Sequence, residues 1–418
     1  MSQRNRNRLN LVYLEWSLIS FAYVLAFLQR VSPQTISDYI SRDFQLDGHQ
    51  LGIVASAYFY GYTLMQFPAG VLVDQFGVRR ILISSLLVSS IGSAIFALSP
   101  TMAFLCAGRV IVAFGDAVVF SCLIKFVAQR LPPARFGLMS GLSQISGYVG
   151  GILATTPLAL AVEAVGWRNA FAGLALIVLL DLAASVLFLK QERVLKKAFS
   201  FADSWQSIKA SVAKKAGWGC ALAFGTYFVA ATSFSGVWGI PMLMQAYGMS
   251  REQAGNSMLL FMLGTAIGSL AIGYISDIFT RLPLLLSLSC VLRAVLFVCI
   301  APLFVGGHWS YTAKIALFGL GFLGGGTVPL LLRAMKRIYT AESIGTGSSL
   351  NATLAGLLAA AAQPALGLVL DSCAWSQTGD GPRIYSAEAY TALTYCFAAI
   401  SAAGLLGVAI MSKMQGTK

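Results

Sequence analysis

The stretch Gly70-Val-Leu-Val-Asp74-Gln-Phe-Gly77-Val-Arg79-Arg80 stands between two long apolar runs, one at about 50–72 and one at about 80–99. Each run is close to the roughly 20 residues a helix needs to cross a hydrocarbon core. Helix is the only workable assignment, because a helix satisfies its own backbone hydrogen bonds in lipid and an open sheet edge cannot. Within the joint, Gly70 lets one helix approach a neighbour, and Asp74 can take an ion pair or cap the helix that follows. Gly77 allows a positive φ in a tight reversal. A partial copy, Gly273-Tyr-Ile-Ser-Asp277-Ile-Phe-Thr-Arg281, follows a later apolar run. A Gly, an Asp four residues on and a following Arg recur, a weak internal symmetry of the kind transporters show.

The same reading extends along the chain. Of 418 residues, 57% are hydrophobic and 11% charged, against roughly 25% charged in a soluble domain. Twelve spans are expected, near 12–38, 50–72, 80–99, 102–128, 138–162, 168–189, 217–246, 252–275, 283–304, 312–335, 343–370 and 389–411. The expected fold is an all-α membrane protein: a six-helix bundle over 1–189, a linker at 190–216 and a second six-helix bundle over 217–418. Phe199, Phe201 and Trp205 suggest that the linker lies on the membrane surface. The net charge of +13 does not signal nucleic acid, because Lys and Arg gather in alternate gaps. That positive-inside pattern places both termini in the cytoplasm of an inner membrane.

Seven cysteines and two histidines show no metal spacing, and six of the cysteines sit in apolar runs as small hydrophobes. No nucleotide-binding loop, metalloprotease pattern or Ser/His/Asp arrangement occurs. Neither an enzyme nor a cofactor is expected. The expected partners are the lipid bilayer, a small-molecule substrate and a coupling proton or cation; a monomer is expected.

The quoted stretch closely resembles the cytoplasmic loop motif of the major facilitator superfamily, Gly-x-Leu-x-Asp-x-x-Gly-x-Arg-(Lys/Arg). Arg109-Val-Ile-Val-Ala-Phe-Gly115-Asp116-Ala is similar to a second element of that family, with Ala113 replacing its first glycine. Phe27-Leu-Gln-Arg30, followed by Tyr62-Thr-Leu-Met-Gln66-Phe-Pro68-Ala-Gly70, looks like the organic anion and cation symporter branch, with Gln29 where that branch often has Asp. The resemblance implies two pseudo-symmetric six-helix bundles that alternate access to a central site. It also implies that the loop of Gly70, Asp74, Gly77, Arg79 and Arg80 gates the change.

Carried onto this chain, the family architecture turns Arg30, Arg109 and Lys125 toward the pathway against one acid, Asp116, and a small organic anion suits that surplus. Tyr58, Tyr62, Gln144, Tyr148, Tyr227, Trp238 and Asn351 are the accompanying candidates for substrate contact, and Asp116 the candidate for proton coupling. Other readings stay open. Lys125 can snorkel as a topology charge, and Arg109 and Asp116, two turns apart on one face, can be a structural pair. Asp181 and Arg293 fall on peripheral spans, where pairing or a polar defect facing lipid is expected. The expected function is proton-coupled symport of an organic anion. An exporter of lipophilic or cationic compounds, or a sensor of the same fold without flux, is the alternative.

Overall fold

The computed structural model describes residues 3–131, 135–191, 209, 211–279, 281–302, 311–339, 344–376 and 383–415; among these, the side chains at 3–10, 67, 74, 136–138, 277, 344–345 and 414–415 are not described. The side chains of Asp74 and Asp277, and linker residues 192–208 and 210 with Phe199, Phe201 and Trp205, therefore lie outside the described residues.

In chain order the helices are α1 (Gln3–Val31), α2 (Pro33–Phe44), α3 (Gly48–Phe76), α4 (Val78–Ala97), α5 (Met102–Asp116), α6 (Val119–Arg130), α7 (Phe136–Leu153), α8 (Thr156–Val165) and α9 (Trp167–Phe188). They continue with α10 (Lys215–Ser233), a π-helical turn (Phe234–Trp238), α11 (Gly239–Tyr247), α12 (Arg251–Ile278), α13 (Leu282–Cys299), α14 (Tyr311–Ile338), α15 (Ile344–Asp371) and α16 (Ala387–Gln415). A small antiparallel ribbon, β1 (Trp375–Ser376) with β2 (Ile384–Tyr385), precedes α16. Among the described residues, ten helices are long and apolar enough to cross a membrane, or eleven when the bent pair α7–α8 is one span. Helix α3 holds the expected span at 50–72.

Four expected spans are interrupted rather than continuous. The first breaks at Ser32-Pro33, where proline lacks the N–H that would continue the ladder and opens α2 instead. The fourth breaks directly after Asp116. The fifth bends by 41° between α7 and α8, with Pro157 in the first turn of α8. The seventh carries the π turn, a feature that concentrates at functional sites.

Two compact units emerge. The first comprises Met1–Val31 and Ala57–Ala198, the second Ser32–Ser56 and Phe199–Lys418. Residues Ser32–Ser56, read from sequence with the first half, thus cluster with the second. In the first unit α9 shows how a span is built. Phe171, Leu174 and Val178 are buried on one face, while Leu176, Leu180 and Leu187 are exposed on the other. That apolar exterior is the inverse of a soluble helix surface and suits lipid. Arg79 closes the end of α9 by donating to the carbonyls of Val186 and Leu189 at 2.8 and 2.7 Å. Glu15 is buried and accepts from Arg130 at 2.8 Å and from the Lys190 backbone N–H at 3.0 Å.

In the second unit α12 and α14 approach until backbones touch. A Cβ at Gly268 would collide with the Phe322 carbonyl, and one at Gly321 or Gly325 with the carbonyls of Phe261 or Thr265. Small residues four apart allow this in lipid, where no hydrophobic force drives helices together. The segment Ser32–Ser56 is held by polar contacts. The Asp371 carboxylate accepts from the N–H groups of Gly48 and His49 (3.0 and 2.8 Å), from Arg383 (3.0 Å) and from the Tyr385 hydroxyl (2.6 Å). Burial, then the carboxylate, hold that phenol above its ordinary pKa, so it remains a donor. Arg251 pairs with Asp38 and donates to the Thr35 carbonyl.

Candidate functional site

Arg30 lies in the last turn of α1, just before the Ser32-Pro33 break. Its guanidinium carbon is 4.6 Å from the ring centroid of Phe27, three residues back on the same face, and 4.4 and 5.9 Å from those of Tyr62 and Tyr58. Tyr58 and Tyr62, one turn apart on α3, stack at 5.9 Å and 18°. Among the described residues Arg30 forms no ion pair, and its buried Nε has no acceptor. Each ring contributes about 0.5–2 kcal/mol of cation–π attraction. Taking the charge out of water costs several kcal/mol. The rings offset part of that cost, and an anion against the guanidinium would supply more.

Arg109 is differently placed. It is 3% exposed and donates to the carbonyls of Gln29 (2.6 Å) and Arg30 (3.4 Å) in the last turn of α1. The Tyr58 ring lies against its guanidinium at 4.6 Å. Arg109 and Asp116 share a face without a direct ion pair, because Tyr58 stands between them. The Tyr58 hydroxyl donates to Asp116 Oδ2 at 3.1 Å, and Ser89 donates to Oδ1 at 2.9 Å. Ser89 accepts in turn from Gln29 Nε2 at 2.9 Å, and Gln29 Oε1 accepts from Ser93. A buried polar chain, Ser93–Gln29–Ser89–Asp116–Tyr58, thus ends on the ring that touches both arginines.

Gln29, Ser89 and Ser93 were missed by sequence reasoning as members of this site. The available signal was the spacing of Ser85, Ser89 and Ser93, which puts three hydroxyls on one face of α4. Of the other candidates, Lys125 donates from Nζ to the Val73 carbonyl at 2.7 Å, toward the end of α3. Tyr148 meets Phe27 edge to face at 6.4 Å, and Gln144 lies beside Tyr23, which packs on Phe27 at 5.3 Å. All three belong to the first unit; Tyr148 and Gln144 flank the aromatic setting of Arg30, whereas the observed contact of Lys125 lies toward the other end of α3.

In the second unit Tyr227 packs against Arg293, Trp238 closes the π turn with its Nε1 buried and unpartnered, and Asn351 is buried beside Tyr339 with Nδ2 unpartnered. In the loop, Gly77 has φ 82°, so only glycine fits there without strain. Gly70 is exposed, and among the described residues a Cβ there would meet nothing within 4 Å. Arg79 holds α9, as described, and Arg80 is exposed.

A family model described as the Major Facilitator Superfamily matches residues 19–362 and 220–412. The chain belongs to the major facilitator superfamily. It is a multi-pass membrane protein with a transporter fold, not an enzyme, and its family implies a small-molecule substrate. A protein described as a probable sulfoacetate transporter, SauU of Cupriavidus necator, is 26% identical over 171 residues, 41% of this chain and 39% of that protein. The hexuronate transporter of Bacillus subtilis is 25% identical over 169 residues, 40% of this chain and 39% of that protein. The matched region thus spans about two fifths of the length of these relatives. The B. subtilis MFS-type transporter YcxA is 23% identical over 355 residues, 81% of this chain and 84% of its own. A crystal structure of a bacterial homologue of the human lysosomal transporter Spinster, inward-facing and unoccupied, superposes with TM-score 0.76 at 17% identity, over 96% of this chain and 98% of that one. That likeness is one of fold.

Proposed function

We propose that this superfamily member is a secondary transporter of a small organic anion in the inner membrane, both termini cytoplasmic, working by alternating access as a proton symporter. The observation that carries the reading is Arg30, a partly exposed guanidinium cushioned by three rings, without a carboxylate partner among the described residues. An anionic headgroup would complete it with charge-assisted hydrogen bonds. Two relatives described as a probable sulfoacetate transporter and a hexuronate transporter support the same substrate class. Arg109 and Lys125 act in this reading through position, because both already have backbone acceptors.

Asp116 is the proposed proton carrier. Among the described residues it is the one acid joined to the Arg30 setting through a shared side chain, Tyr58, so protonation there and an anion at Arg30 would act on the same ring. The two roles separate in proteoliposomes. Counterflow of organic anions tests the binding step, and uptake driven by an imposed proton gradient tests coupling. Arg30→Ala is expected to lose both, Arg30→Lys to keep part of the counterflow, and Asp116→Asn to keep counterflow while losing gradient-driven uptake. Undiminished counterflow in Arg30→Ala would remove the anion site.

A further inference from the structure

Arg293 lies on α13, where the sequence suggested a paired charge or a defect facing lipid. Neither holds. The side chain is 3% exposed and turns into the second unit. Nη1 donates to Thr327 Oγ1 at 3.0 Å, and Nη2 reaches only the Cys290 sulfur at 3.7 Å, a weak acceptor. The guanidinium carbon is 5.1 Å from the centroid of Tyr227 on α10. Nε is buried with no acceptor. Among the described residues Arg293 forms no ion pair; Asp38 and Asp371 of the same unit are engaged by Arg251 and Arg383. One hydroxyl, one sulfur and one ring are a poor exchange for the hydration of a cation.

A small cavity opens beside it. Tyr227, Ala230, Phe261, Phe297 and Gly324 form its walls together with Arg293, and its volume is about 10 Å³, room for one particle the size of a water molecule or a small ion. The lining contributes no acid, and the alanine and glycine leave the room. We propose that this cavity is a second anion site, lying wholly within the C-terminal bundle, which takes a single halide-sized monovalent anion on the Arg293 guanidinium. An apolar wall with one buried cation selects charge and small size, and rejects the larger body of an organic metabolite. The site shares no residue with the setting of Arg30, so it stands or falls separately from the transport reading.

The test uses the purified full-length protein in a low-salt zwitterionic buffer free of halide and carboxylate. Its melting temperature is followed while sodium chloride or sodium acetate is added. The expected result is a saturable rise in the wild type that persists in Arg30→Gln, survives in part in Arg293→Lys and is lost in Arg293→Gln. Should Arg293→Gln not fold, Ala230→Leu fills the cavity with the arginine intact and must also abolish the response. A response to chloride and not to acetate is the expected pattern, and a response to acetate alone overturns the halide-sized site. No saturable response in the wild type, or an equal response in Arg293→Gln or Ala230→Leu, overturns the proposal.

Discussion

Tyr58 is fully buried and uses its two ends differently. The ring lies against the guanidinium groups of Arg30 and Arg109, and the hydroxyl serves Asp116. Phenylalanine at this position keeps the first contact and removes the second. Tyr58→Phe is therefore expected to retain anion affinity within about threefold, as read by equilibrium binding. Asp116 then keeps only Ser89 as a donor, and losing one hydrogen bond to a charged group costs about 1.5–3 kcal/mol. Gradient-driven uptake should fall well below that of the wild type while counterflow persists. Tyr58→Ala removes both contacts and should lose binding as well. Equal losses in the two variants would show that the hydroxyl has no separate role.

Between elements, tight packing of glycine on backbone does the work that hydrophobic burial does in water. The contact of Gly268 with the Phe322 carbonyl leaves no side chain that could yield, so Gly268→Val is expected to destabilise the protein by at least about 3 kcal/mol. Gly173→Ala, where a Cβ meets nothing, should be neutral or slightly stabilising. Thermal unfolding in detergent compares the two. Asp371→Asn turns an all-acceptor group into one that presents an N–H toward the Gly48 and His49 donors and gives up the charge on Arg383. A loss of about 1–3 kcal/mol is expected, and an unchanged melting temperature would contradict this account of the segment Ser32–Ser56. The spans themselves were legible in the sequence, because 20 apolar residues carry their own signal. The interruptions were less so. Pro33 and Pro157 mark two of them in plain letters, and Pro241, which has no N–H to offer Val237, marks the π turn at Phe234–Trp238; the break after Asp116 has no such residue as a signature.

At the scale of the molecule, the exposed leucines of α9 and the buried charges of α1 and α5 form the pattern of a membrane protein, apolar outside with costly polar groups within. The candidate site was legible where a charge interrupts an apolar run, as at Arg30, Arg109 and Asp116. It was not legible where the partner is a backbone carbonyl, since the acceptors of Arg109 and Lys125 could be any residue. Arg293 was misjudged for a related reason: position along a span does not say which way a helix face turns. Arg109 and Arg293 share the unpartnered Nε of Arg30; what separates Arg30 from them is its partial exposure. The most direct test is equilibrium binding of small organic anions to the purified protein, in saturating chloride so that any second anion site stays filled. The wild type should bind a carboxylate or sulfonate and not its neutral amide, with affinity reduced about 10- to 100-fold in Arg30→Gln. Anion binding unchanged in that variant, or a preference for organic cations in the wild type, would contradict the account.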